Sequence, residues 1–306
     1  MRVRPPTPAD LDDVLAVLRA ADSAVAGDSD WTRTDLDLEW SRLDLERDAW
    51  VIELEDRIAG YASFDARGAR FGADGYVHPE FRRRGVGSEI IRLTERRAAE
   101  EVTNVPAGQR VYLQNATLDQ GDCARRFYGE RGYDAVRGFR GMVIDLESEP
   151  AVPRVSGIAI RPYDHPAEAR AVHAAQQESF ADHWEHRPVP FDEWEERRFG
   201  HESFDPTLWW LATDGPVIAG VVFCARKRDP EQGWVDSLGV RPRYRRRGIA
   251  EALLKTAFAE LFRRGERRVG LGVDAESPTG ATRLYERAGM RTLWHAVVYE
   301  KELRPA

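Results

Sequence analysis

Trp234-Val235-Asp236-Ser237-Leu238-Gly239-Val240-Arg241-Pro242-Arg243-Tyr244-Arg245-Arg246-Arg247-Gly248-Ile249-Ala250 is the stretch on which the fold turns. A strand-like run ends at Val240, Pro242 punctuates it, and three arginines lead into Gly248. Beyond the glycine, Ala250, Leu253, Leu254, Ala257, Phe258 and Leu261 recur at helical spacing and make one apolar face. Strand, glycine turn and helix N-terminus together aim free backbone N–H groups and the positive end of the helix dipole at one spot, an anion site. Guanidinium forks beside it suit the oxygens of a multiply phosphorylated ligand. A nucleoside triphosphate loop needs Gly-Lys-Ser/Thr, and a dinucleotide fingerprint needs a third glycine where Leu253 stands, so both nucleotide readings fail.

The same pattern occurs earlier. Val77-His78-Pro79-Glu80-Phe81-Arg82-Arg83-Arg84-Gly85-Val86-Gly87 precedes a helical face of Ile90, Ile91, Thr94 and Ala98. Arg4-Pro5 matches Arg161-Pro162, Ile58-Ala59-Gly60 matches Ile218-Ala219-Gly220, and Tyr128 with Gly132 matches Tyr285 with Gly289. A repeat of half the chain marks two copies of one domain. Glu147 to Gly157, rich in proline, serine and charge, reads as the seam. The expected division is residues 1–149, a linker at 150–157, and residues 158–306. Each copy reads as mixed α/β, a partly antiparallel sheet flanked by helices, with hairpins around Glu55-Asp56-Arg57 and Asp214-Gly215-Pro216.

Composition narrows the function. A 306-residue chain with 42% hydrophobic and 32% charged residues can bury a sizeable core, and its net charge of −7 disfavours a nucleic-acid scaffold. Two distant cysteines build neither a disulfide framework nor a zinc site. His183 and His186, with His201 and Cys224 nearby, have no recognised ligand spacing, so no metal is expected. The N-terminus lacks an apolar leader, and the run from Val217 to Ala225 is half a membrane span, so a cytoplasmic protein without membrane contact is expected, monomeric or homodimeric.

Arg82-x-x-Gly85-x-Gly87 and Arg245-x-x-Gly248-x-Ala250 resemble the Arg/Gln-x-x-Gly-x-Gly/Ala signature of the GNAT superfamily of N-acetyltransferases. Leu284-Tyr285-Glu286-Arg287-Ala288-Gly289-Met290 is similar to the late helix and strand of that family, and nearly the whole chain resembles two such domains in tandem. The resemblance implies acetyl-CoA as co-substrate, its pyrophosphate cradled by the turn. In the second copy the implied contacts are Leu238, Val240, Arg245, Arg246, Arg247, Gly248, Ile249 and Ala250. In the first they are Val77, Arg82, Arg83, Arg84, Gly85, Val86 and Gly87. It further implies that Tyr285 lies near the sulfur and protonates the departing thiolate; the plainer alternative is an aromatic packed on the sheet.

The family frequently places an acid on the strand before the turn, and Asp236 is there as candidate base. Period two would put Asp236, Leu238 and Val240 on one face. The matching residue of the first copy is Ala73, with Asp74 on the opposite face, so catalysis is expected mainly in the second domain. Acids and aromatics alternate from Glu178 to Glu196. Trp184 and Glu185 are candidates to hold a cationic amine, although Phe180, Trp184, Phe191 and Trp194 equally read as the buried sides of two short helices. Cys123 and Cys224 lack repeat counterparts, so no covalent acetyl-enzyme is required. The activity predicted is acetyl transfer to a primary amine of a small molecule by direct attack. The alternatives are a non-catalytic acyl-CoA sensor and an acyltransferase for a different acyl-CoA.

Overall fold

Both glycine turns join a strand to a long helix in the computed structural model, which describes residues 1–306 except 28, 30, 119–121, 201, 202, 229 and 230. The strands are β1 (Arg2–Arg4), β2 (Ala49–Leu54), β3 (Arg57–Arg67), β4 (Arg70–Val77), β5 (Val111–Leu118), β6 (Asp134–Asp145), β7 (Ala159–Pro162), β8 (Trp209–Asp214), β9 (Val217–Arg228), β10 (Glu231–Val240), β11 (Arg268–Asp274) and β12 (Arg291–Arg304). The helices are α1 (Leu11–Ala26), α2 (Arg33–Trp40), α3 (Leu45–Asp48), α4 (Val86–Glu101), α5 (Asp122–Gly129), α6 (Ala169–Phe180), α7 (Phe191–Phe199), α8 (Ile249–Arg263) and α9 (Ala281–Arg287).

The compact units depart from the expected division at 149 and 158. One comprises Met1–Gly138 with Trp294–Ala306, the other Phe139–Leu293. In the first, β1 to β4 pair antiparallel in order, β4 runs parallel to β5, and β12 pairs antiparallel with β5 from Ala296↔Leu118 to Arg304↔Val111. In the second, β7 to β10 are antiparallel, β10 runs parallel to β11, and β6 pairs with β11 from Arg268↔Asp145 to Asp274↔Phe139. Each unit therefore takes its last strand from the other half of the sequence. The ladder decides this: these pairings satisfy backbone groups along the free edges of β5 and β11, which a division by sequence halves would leave open.

The apolar stripe read after Gly248 is the buried face of α8, with Leu253, Leu254, Phe258 and Leu261 all wholly buried. The stripe after Gly87 likewise buries Ile90, Ile91, Thr94 and Ala98 of α4. Helix and sheet come close because Gly60 and Gly220 hold matching places: a Cβ would lie 2.6 Å from Val86 in one unit and 3.1 Å from Leu253 in the other.

The site-bearing feature of the second unit is a local irregularity in β10. Val235 pairs with Cys224 but Ser237 pairs with Phe223, so Asp236 is the extra residue of a β-bulge. Leu238 and Val240 share a face through partners Val222 and Gly220, as alternation predicts; Val235, opposite Cys224, joins that face because the bulge breaks the alternation between Val235 and Ser237. Among the described residues only Gly233↔Val269 and Trp234↔Gly270 join β10 to β11, and the two parallel strands part from Val235 onward.

Candidate active site

Where β10 and β11 part, the second unit has a cleft of about 960 Å³. Its walls are Val235 to Val240 of β10 and Leu271 to Asp274 of β11, with the start of α8 and Leu284 and Tyr285 of α9. Among the residues singled out from sequence, it gathers Asp236, Leu238, Val240, Arg245, Arg246, Gly248, Ile249, Ala250 and Tyr285.

The anion end rests on backbone geometry. Gly248 opens α8 at φ +82° and Arg246 precedes it at +64°; Gly85 and Arg83 repeat the path at +87° and +61° before α4. Neither helix has a side-chain hydrogen bond at its N-cap, so first-turn N–H groups face outward. A Cβ on Gly248 would meet nothing closer than Val155 at 3.9 Å, whereas at Gly85 the Met1 side chain stands at 3.6 Å. Val77 lies 3.8 Å and Phe127 3.7 Å from a Cβ built on Gly87, and Val86 is buried.

The three arginines of the second turn have separate tasks. Arg245 donates to Asp182 Oδ1 at 2.9 Å, to the Ser179 carbonyl at 3.0 Å and to the Val240 carbonyl at 3.1 Å. It also meets Asp182 Oδ2. This hydrogen-bonded pairing holds the Asp182 carboxyl below its ordinary range. Arg241, just upstream, donates from Nε to Glu178 at 2.7 Å. Two arginines thus brace the turn against the end of α6. Arg247 lies over the Tyr244 ring at 5.6 Å, with Nη2 3.4 Å from the Ser156 carbonyl, and is outside the cleft lining. Of the three, Arg246 lines the cleft with no ion pair among the described residues, as does Arg287 of α9. Of the three arginines expected to face phosphate, Arg245 and Arg246 line the cleft and Arg247 does not. In the first unit Arg84 pairs with Glu55, while Arg82 and Arg83 form no ion pair among the described residues.

Tyr285 and Asp236 line the same cleft. Tyr285 is 7% exposed, and burial pushes its phenol up to about 12, so it stays protonated at neutral pH. Asp236 is exposed at the bulge. Behind it, Cys224 is buried, and burial together with the Asp236 charge raises its thiol well above the ordinary value, which keeps it from acting as a thiolate. Arg198 of α7 stands 3.5 Å from Ser237 Oγ; burial lowers its guanidinium, with the Asp236 charge opposing.

From the acidic and aromatic segment the cleft takes Ser179, Phe180, Asp182 and His183. Trp184 and Glu185 are not in its lining: Trp184 packs against Phe139, ring centroids 6.1 Å apart, and Glu185 turns the chain at φ +51°. Trp194 is core at 4% exposure. His201 lies outside the described residues, and no group of three or more metal-ligating side chains occurs among the described ones. No helix among them is long and apolar enough to cross a membrane.

In the first unit Tyr128 stacks on Tyr299 at 4.5 Å, and burial, then the charge of Asp74, push its phenol upward. Ala73 is buried and Asp74 exposed. Sequence reading missed Gln176, Ser237 and Arg198. Gln176 offered a signal, a polar side chain within the buried stripe of Val172, Ala175 and Ser179 on α6.

Residues 169–290 match the model of the acetyltransferase (GNAT) family, and residues 46–135 that of an acetyltransferase (GNAT) domain. The chain is 30% identical to a mycothiol acetyltransferase of Kineococcus radiotolerans, over 93% of this chain and 91% of that protein. It is 28% identical to one of Geodermatophilus obscurus over 95% and 93%. Among solved structures it resembles a GCN5-related N-acetyltransferase from Sphaerobacter thermophilus, with TM-score 0.87, 34% identity, and coverage of 100% and 96%. The fold is shared with a tandem GNAT protein from the clavulanic acid biosynthesis pathway, at TM-score 0.73, 15% identity, and coverage of 100% and 99%.

Proposed function

The chain belongs to the GNAT family of N-acetyltransferases, and we propose that it moves the acetyl group of acetyl-CoA to a primary amine of a small molecule in the cleft of its second unit. One observation carries this: a single cleft is lined both by an uncapped, glycine-opened helix N-terminus and by Asp236 and Tyr285. The residues suit the co-substrate. Outward N–H groups of α8 and Arg246 would hold the pyrophosphate, Gly248 and Ala250 leave room for it, and its thioester supplies the acetyl group.

Asp236 takes a proton from the incoming ammonium, directly or through a water, and frees the nitrogen lone pair. The amine nitrogen attacks the acyl carbon and releases its second proton to solvent, the C–S bond breaks, and Tyr285 gives its proton to the leaving sulfur and regains one from solvent. Transfer is direct, supported by Cys224 being held as a thiol. The acceptor we propose is an amine that acetylation converts to mycothiol, since the named relatives align with almost the whole chain. Such an enzyme works in the cytoplasm beside its substrates.

The test is turnover of acetyl-CoA, followed by free-thiol release, with desacetyl-mycothiol and a panel of small primary amines, the product identified by mass. Thiol release with an N-acetylated product supports the reading. Saturable acetyl-CoA binding without amine-dependent thiol release would favour a sensor.

A further inference from the structure

We propose that Gln176 and Ser237 are positioning residues that hold the β10 bulge and thereby present Asp236 to the cleft; the inference rests on Asp236 acting as the base. Trp194 Nε1 donates to Gln176 Oε1 at 2.6 Å, and Gln176 Nε2 donates to Ser237 Oγ at 3.0 Å. All three side chains are buried. A buried amide must satisfy both its ends, so with Trp194 engaging the oxygen, the Gln176 nitrogen has one place to point. That bond fixes Ser237 on the α6 side of the sheet.

Val235 faces the other side, with Leu238 and Val240. Between two residues so oriented, the pleat has no place for a third. Asp236 is therefore the residue turned out of the ladder and into the cleft. A bulge disrupts ladder hydrogen bonding locally, and the side-chain bond from Gln176 to Ser237 Oγ anchors the residue that follows Asp236.

The first unit supplies an internal control. Leu18 of α1 lies 158 residues before Gln176, the spacing that separates Asp10 from Glu168 at the starts of these two helices. Ser63↔Asp74 holds the register place of Phe223↔Ser237, since Gly60↔Val77 matches Gly220↔Val240. Where the glutamine and serine are missing, β3 and β4 pair without a shift from Gly60↔Val77 to Arg67↔Arg70. The strand shift and the Gln–Ser pair occur together in β10 of one unit, and neither is found at the matching place in β4 of the other.

The experiment compares Ser237→Ala, Gln176→Leu and Asp236→Asn in the full chain, with acetyl-CoA and desacetyl-mycothiol as substrates and a crystal structure of each variant. Ser237→Ala is expected to lower kcat by about 10²-fold, the scale of a catalytic group displaced by an ångström, and to leave KM for acetyl-CoA unchanged. It should add nothing to Asp236→Asn, and Ser237→Thr, which keeps the hydroxyl, should restore most of the rate. Ser237→Ala with undiminished kcat beside a crippled Asp236→Asn overturns the inference alone. An Asp236→Asn variant with full kcat overturns the base assignment and the inference with it. The crystallographic arm needs no acceptor: a Ser237→Ala or Gln176→Leu structure that retains the bulge overturns the proposal, and a ladder restored to register supports it.

Discussion

The Arg245 guanidinium meets the Asp182 carboxylate at 2.9 Å and reaches the Ser179 carbonyl at 3.0 Å. The first arginine of the glycine-turn signature is thereby committed to the end of α6. It joins the glycine turn to a second segment that lines the same cleft.

Arg245→Ala and Arg246→Ala should therefore differ in kind. Loss of Arg246 removes a charged donor from the phosphate end and is expected to weaken CoA binding by about 1.5–3 kcal/mol in calorimetry. Loss of Arg245 breaks a partly exposed ion pair, so about 1 kcal/mol of stability should go, with KM for the amine rising more than KM for acetyl-CoA. Equal losses of CoA affinity in the two variants would mean that Arg245 leaves Asp182 when the co-substrate binds.

Tyr285→Phe should lower kcat by about 10²-fold with CoA affinity unchanged. Because the folded phenol sits near 12, above its ordinary value, the group favours the folded state fully below pH 10, and that contribution fades as pH rises from about 10 to 12. The kcat profile should show no falling limb from Tyr285 below about pH 11. A limb near pH 9 that Tyr285→Phe abolishes would contradict the buried, neutral acid.

Two CoA sites per chain are expected, because Gly85 and Gly248 have the same left-handed backbone and uncapped helices follow both. Replacing either glycine with alanine places a side chain in the left-handed region at about 1–2 kcal/mol and should erase one site in calorimetry. A single site lost with Gly248→Ala and indifferent to Gly85→Ala would make the first unit structural.

His183→Ala should raise KM for the amine, since His183 lines the cleft, while Glu185→Gln should leave it unchanged. The opposite pattern, read in steady-state kinetics on folded variants, would return acceptor recognition to Glu185.

What was legible in the sequence was whatever depends on short-range pattern. The strand, glycine turn and helix at Gly85 and Gly248 were legible because left-handed backbone and helical periodicity leave marks within a few residues. The assembly of Asp236 and Tyr285 in one cleft was legible only by family resemblance, as they lie on separate elements. Period two breaks between Val235 and Ser237, and the bulge left no local mark because what packs beside it, such as Gln176 against Ser237, lies far away in the chain. Arg245 read as a phosphate ligand because its partner Asp182 is likewise distant in sequence. Trp184 and Glu185 had suitable chemistry, but the fold directs Asp182 and His183 to the lining instead.

The exchange of last strands between the units has a consequence for biosynthesis. A ribosome that has delivered Met1 to Gly138 has made nearly all of the first unit, yet the strand that covers β5 is encoded after the whole of the second unit. Until Trp294 to Ala306 emerge, that edge is an open template for other chains, a hazard that nascent-chain chaperones exist to shield. The unit begun first is the one finished last.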